Sequence, residues 1–460
     1  MSNGNKLKTM SDSLIIQTLE HTPDLLALHA SNPERYPHLL SSNSSLTDKS
    51  YLARFDILFA CPQQTITSDK GDFLKQLDVS WQKEKIDIDD KIDCPFKGGW
   101  FLYLGYELAQ EIETGLNLPE AEDGLPVAFA TRFPAAIIID SHAQKAYLVC
   151  EAEFNECAEQ IRRDLLNELP IDKTLEVFQI EEMTEDDEMH YLNQLEQLHQ
   201  YIVEGDVFQV NLSRCWKSQL ISSSLSNVSH ASIYKQLIKS NPGPFNALVT
   251  LGDKAIISSS PERLIKLKGG YLETRPIAGT RPRSVDDVED NTLSSELLAH
   301  PKERAEHIML IDLERNDMGR VCVPGSIEVN ELMVLETYQH VHHIVSNVRG
   351  KLRHGITPGE LISAVFPGGT ITGCPKVRCM EILAELEQVG RGAYTGSLGY
   401  LNHDGSMDLN ILIRTITRDG NKLQFRAGGG IVVDSDSSNE LSETRAKAKG
   451  LIHALQEGNQ

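Results

Sequence analysis

Apolar positions along the chain follow two periods. The β-branched runs Ala135 to Ile139, Ala146 to Val149 and Ala255 to Ile257, bounded by Asp, Ser, Gly or Pro, predict strands. Over 185–204, Met189, Leu192, Leu195, Leu198, Tyr201 and Ile202 recur every three or four positions, which predicts an amphipathic helix with one apolar face. Pro301 opens a further helical stretch over 301–317, where its missing N–H costs nothing. A last helix, near the C-terminus, is anchored by Leu441, Ala448, Leu451, Ile452 and Leu455. Strands and helices mix without an internal repeat, so the class is α/β in the broad sense.

The acidic stretch 181–188 (EEMTEDDE) precedes the first of these helices, and closely spaced like charges resist burial. It places a join near residue 180, between an N-terminal portion, 1–180, and a motif-rich portion, 181–460. Chemistry is expected in the second.

Composition narrows the function. The 460 residues carry 66 acidic against 44 basic side chains, a formal charge of -22, which repels phosphate backbones and argues against nucleic acid as the main partner. A small anionic substrate then needs a locally positive site or a cation. Neither a basic start followed by an apolar run nor eighteen consecutive apolar residues occurs, so a cytoplasmic protein is expected. The 8 cysteines show no Cys-x-x-Cys pair and no zinc spacing, which predicts reduced, structural thiols.

Two helices carry paired carboxylates. Glu303 and Glu306 share a face of the 301–317 helix, and Glu440, Glu443 and Lys447 are similarly spaced near the C-terminus. Hard oxygen donors from two such helices, with places left for water and substrate, suit Mg²⁺. The plainer alternative is a surface ion pair between Glu443 and Lys447, and spacing by itself favours it. The run 366–376 (FPGGTITGCPK) resembles a phosphate loop only superficially, because Cys374 and Pro375 separate Gly373 from Lys376. It could instead present backbone N–H groups and Thr370 to a carboxylate. The glycines of 427–432 (AGGGIV) follow an expected strand and would let backbone approach a ligand, or would form a plain turn. His340, His342 and His343 lack partners at zinc spacing, so a single hydrogen-bonding histidine is expected. Glu262 follows a strand end, where a buried carboxyl could protonate a leaving hydroxyl. Its alternative is a surface pair with Arg263.

Taken together, PIAGTRPR (276–283), ERAEHIMLIDLERND (303–317), HHIVS (342–346), FPGGTITGCPKVRCMEI (366–382), MDLNILIRT (407–415), AGGGIV (427–432) and ETRAKA (443–448) resemble the chorismate-utilising enzymes. The likeness covers roughly residues 185 to 455, with a fainter one through LLSS (39–42), ARFD (53–56) and PFKGGWFLYLGYE (95–107). It implies two antiparallel sheets packed face to face, helices outside, and an active-site cleft between the sheets. Members that use water place a lysine where this chain, in GDVFQVNLSR (205–214), has Gln209. An amide cannot serve as the base for water, whereas ammonia needs none, so the resemblance implies amination.

FPGGTITG and AGGGIV are similar to the branch that aminates chorismate at carbon 4 to 4-amino-4-deoxychorismate, on the way to 4-aminobenzoate and folate. Ala278 stands where that branch commonly has a nucleophilic lysine and resembles the anthranilate-forming branch, which aminates carbon 2 and eliminates pyruvate. A methyl group forms no covalent adduct.

By the same resemblance, Glu306 and Glu443 bind Mg²⁺ with help from Glu303 and Glu440. Tyr394, Arg414, Gly428, Gly430 and Lys447 hold substrate carboxylates; Ala278, Gly279, Thr280, His343 and Thr370 line the ring; Glu262 is the general acid. Ammonia is implied to come from a glutamine amidotransferase partner in a heterodimer. A tryptophan pocket is implied at Ser42, Leu52, Ala53, Arg54, Phe55, Pro244, Phe245 and Asn246, although LLSS lacks the glutamate associated with feedback inhibition. A reading of a different class is a non-catalytic homologue that binds chorismate or an amino acid without turning it over.

Overall fold

The computed structural model describes residues 14–42, 54–68, 71–85, 93–167, 177–221, 228–284, 286–337 and 341–456. Leu52, Ala53 and His340 lie outside these described residues.

The β-branched runs pair as their alternation requires. Ala135–Asp140 joins Lys145–Glu151, and Lys254–Ser260 joins Phe245–Leu251, both antiparallel. These belong to a 12-stranded sheet that also contains His38–Ser41, Thr415–Asp419, Lys422–Ile431 and Gln209–Gln219. A 10-stranded sheet contains Ile277–Pro282, Val341–Lys351, Arg263–Lys268, Ser397–Asn402 and Gly99–Leu104.

Strand periodicity sorts side chains into three apolar layers. On Phe55–Ala60, Ile57 and Phe59 face a central core shared with Phe101 and Tyr103 of the other sheet. Leu58 and Ala60, on the opposite face, pack under Leu28, Ile161, Leu237 and Leu451 of covering helices. Trp100, Leu102 and Leu104 likewise turn away from the centre toward Phe73, Leu77, Ile311 and Leu361. The sheets therefore pack face to face with helices outside.

Both sheets are built from chain on either side of residue 180. His38–Ser41 pairs with Phe245–Leu251, and Gly99–Leu104 with Ser397–Asn402.

The structure corrects several expectations. The helix spans Glu188–Glu204; Leu195 and Leu198 are buried, and Leu192, Tyr201 and Ile202 pack partly buried against the same core as expected, whereas Met189 is exposed and Tyr191 is buried instead. Gly428 to Gly430 lie inside the strand Lys422–Ile431 and not in a turn after it. The thiols are not all reduced: Cys61 and Cys157 form a disulfide across 96 positions, and the remaining six are free. Sequence spacing cannot show that contact, because the fold brings the end of strand Phe55–Ala60 against helix Asn155–Leu166. Among the described residues no helix is long and apolar enough to cross a membrane.

Candidate active site

The carboxylate-bearing helices Pro301–Gly319 and Ser437–Gln456 pack against the strands Ile277–Pro282 and Lys422–Ile431, one in each sheet. Between them opens a cleft of about 850 Å³. Every described residue assigned above to catalysis, substrate or metal lines it.

Glu262 sits just past strand Lys254–Ser260 and is 6% exposed. Arg263 pairs with Asp408 at 2.8 Å, so the surface pair with Glu262 does not form. Burial pushes the Glu262 carboxyl up to about 7, against the opposing hydrogen bond from Thr370 and the charges of Lys447 and Arg414. Thr370 Oγ1 donates to Oε1 at 2.9 Å. Near neutral pH this is a carboxyl that can keep a proton and give it up.

Ala278, Gly279 and Thr280 form an irregular edge of strand Ile277–Pro282, where the register shifts between Ala278 and Thr280. Gly279 has φ +67°, and a Cβ there would lie 2.8 Å from Glu303 Oε2, so glycine both makes the bulge and lets that helix approach. His343 Nδ1 lies 2.9 Å from Thr280 Oγ1 and 3.3 Å from the Gly279 carbonyl. A carbonyl only accepts, so Nδ1 carries the hydrogen in that contact. Burial, with the Arg414 charge, lowers His343 to about 4, and the ring is neutral at pH 7.

The four glutamates line the cleft, two from each helix. Burial raises Glu306, Lys302 opposes, and the charges of Glu303, Glu440 and Glu443 raise it further. Glu440 is also raised, first by burial. Among the described residues no three His, Cys, Asp or Glu side chains stand close enough to hold an ion by themselves. Mutually repelling carboxylate oxygens are the hard donor type that suits Mg²⁺, an ion that completes its shell with water and substrate oxygens. The ion pair of Glu443 with Lys447 is present too, at 2.7 Å, and Lys447 also donates to the Gly428 carbonyl at 3.0 Å. The ion-pair reading of that spacing is therefore observed.

Gly428 and Gly430 leave room where side chains would intrude. A Cβ on Gly430 would lie 2.2 Å from Gln209 Nε2, and one on Gly428 would lie 2.8 Å from the Tyr394 hydroxyl. Burial pushes that phenol up to about 12, so it is a neutral hydroxyl. Arg414 adopts φ 52°, and its charge acts on both Glu262 and His343.

Ser42, Arg54, Phe55, Pro244, Phe245 and Asn246 are gathered around a second cavity of about 330 Å³. Pro244 lines both cavities. Two features escaped sequence reasoning. Asn211 also opens onto the cleft, and only its place two residues after Gln209 on a strand could have signalled this. Glu314 is buried and pushed up to about 8 by desolvation and by Asp317, and nothing in its helical spacing marks it.

Fold, cleft and residues agree with one class of protein. The chain belongs to the chorismate binding enzyme family, which it matches over residues 39–453. It is 42% identical, over 79% of its length and 73% of the relative's, to an anthranilate synthase component I-like protein of Synechocystis. It is 34% identical to aminodeoxychorismate synthase component 1 of Salmonella typhimurium, covering 98% of this chain and 100% of the relative. Among solved structures, anthranilate synthase component I from Streptococcus pneumoniae superposes with a TM-score of 0.77 at 30% identity, over 86% of this chain and 92% of that one.

Proposed function

We propose that this protein aminates chorismate at carbon 4 with ammonia to give 4-amino-4-deoxychorismate, as component I of an aminodeoxychorismate synthase. The observation that carries the reading is a buried, protonatable Glu262 in the same cleft as Gln209. The full-length similarity to aminodeoxychorismate synthase component 1 supports it.

In this reading the C–N bond forms as the C4–O bond breaks. Glu262 gives its proton to the departing hydroxyl, which leaves as water, and the new ammonium centre returns a proton to the carboxylate. Gln209 takes no proton, which suits ammonia and not water. Neutral His343 and Thr280 orient the ring, and Tyr394, Arg414 and Lys447 hold carboxylates through charge-assisted or hydroxyl hydrogen bonds. Mg²⁺ at Glu306 and Glu443, with Glu303 and Glu440 direct or through water, would neutralise the ring carboxylate in an acidic protein. A glutamine amidotransferase subunit would deliver ammonia, in keeping with the component naming of the relatives. The second cavity suits tryptophan, and calorimetric titration with tryptophan tests that assignment.

Ala278 favours a second reading, anthranilate formation, because it lines the ring site and supplies no nucleophile. Purified chain incubated with chorismate, Mg²⁺ and excess ammonium at mildly alkaline pH separates the outcomes by product mass and fluorescence. Accumulating 4-amino-4-deoxychorismate upholds the proposal, and fluorescent anthranilate with pyruvate replaces it with the second reading. Unchanged chorismate at every ammonium concentration would make the chain a binding homologue.

A further inference from the structure

Gln209 and Asn211 stand two positions apart on the strand Gln209–Gln219, so the pleat turns both side chains to one face, toward the cleft. The carbonyl oxygens Gln209 Oε1 and Asn211 Oδ1 are buried and have no hydrogen-bond partner among the described residues. Gln209 is 9% exposed. A buried acceptor left unpaired is destabilising, and here two stand on one face.

The neighbouring strand explains how they fit. It pairs Asn211 with Gly430 and Ser213 with Gly428. A Cβ on Gly428 would lie 2.9 Å from Asn211 Oδ1, and one on Gly430 would meet the Gln209 amide. Two missing side chains on one strand thus make room for two amides on the next.

We propose that Asn211, with Gln209, forms the ammonia-binding subsite, in which the two amide oxygens accept N–H hydrogens of the nucleophile. The proposal rests on the aminating reading above. Ammonia has several N–H donors and a single lone pair. A donor side chain would hold it through the lone pair that must form the new bond, whereas acceptors hold it by its hydrogens and leave the pair directed at the ring. Neutral amides also do not favour ammonium, which has no lone pair to give. A carboxylate at the same place would.

Steady-state kinetics with ammonium chloride as nitrogen source, saturating chorismate and Mg²⁺, tests the subsite. If the wild-type chain forms no aminated product, the aminating reading fails and takes the inference with it. Given an aminating wild type, Asn211→Leu should raise the KM for ammonia about tenfold, the loss of one net hydrogen bond, and leave the KM for chorismate within about twofold. An unchanged KM for ammonia, or a rise confined to chorismate, overturns the proposal. Asn211→Asp keeps the acceptor and adds charge, so it serves if the leucine variant does not fold. Its rate optimum should move to higher pH than that of the wild type, because it holds ammonium, and an unmoved optimum overturns the proposal.

Discussion

Thr370 Oγ1 donates a 2.9 Å hydrogen bond to Oε1 of Glu262, which ties the short helical turn Gly369–Ile371 to a carboxyl that burial lifts to about 7. The hydroxyl orients the acid while burial keeps its proton available.

Glu262→Gln should lower kcat by about 100-fold or more, the usual range for a lost general acid, and leave the KM for chorismate nearly unchanged. Steady-state kinetics measures both, and a variant with normal turnover removes Glu262 from the mechanism. The proton is required, so the wild-type rate, expressed per free ammonia, should fall as pH rises through about 7. Stability has the same sign. The folded value lies above the ordinary 4.5, so this group's contribution is full below 4.5 and is lost as pH rises through about 7. Melting temperatures should show Glu262→Gln gaining on wild type as pH rises from 4.5 to about 7, with the difference level above that.

Gly428→Ala and Gly430→Ala should separate stability from chemistry. The first Cβ would lie 2.4 Å from the Leu212 backbone carbonyl, which cannot move aside, and should cost about 1–3 kcal/mol in urea unfolding. The second meets the side-chain amide of Gln209, which can rotate aside where a backbone carbonyl cannot, and should leave unfolding near wild type while weakening ammonia use. Equal losses of stability in both variants would contradict this account.

Magnesium should stabilise the folded chain even without substrate, because a cation relieves the mutual charge of Glu306, Glu440 and Glu443. Thermal melts with Mg²⁺ against chelator are expected to show a rise of a few degrees that Glu306→Gln diminishes. Chelation should abolish turnover and added Mg²⁺ restore it. A melt insensitive to the ion would remove these glutamates from metal binding.

Reduction of the Cys61–Cys157 disulfide should lower the melting temperature, because the bond closes a loop across 96 positions, and such bonds are worth about 2–4 kcal/mol. Non-reducing peptide mapping should recover the two cysteines in one linked species. Two free thiols in the folded protein would refute the pairing.

Residue type at short spacing was enough to read the strands around 135–139, 146–149 and 255–257, the carboxylate-bearing helices and the motifs that identify the family. The helix Pro301–Gly319 begins at its proline, and Glu262, Gln209 and the four glutamates were all legible in local motifs. That Glu262 is buried and not paired with Arg263 follows from long-range packing, since the groups facing it include Thr370, Lys447 and Arg414, far along the chain. The same holds for Asn211, whose meaning depends on glycines two hundred residues away in the neighbouring strand, and for Cys61 with Cys157. Local pattern determines secondary structure and candidate chemistry, whereas burial and proton affinity depend on long-range packing that no short window of sequence contains.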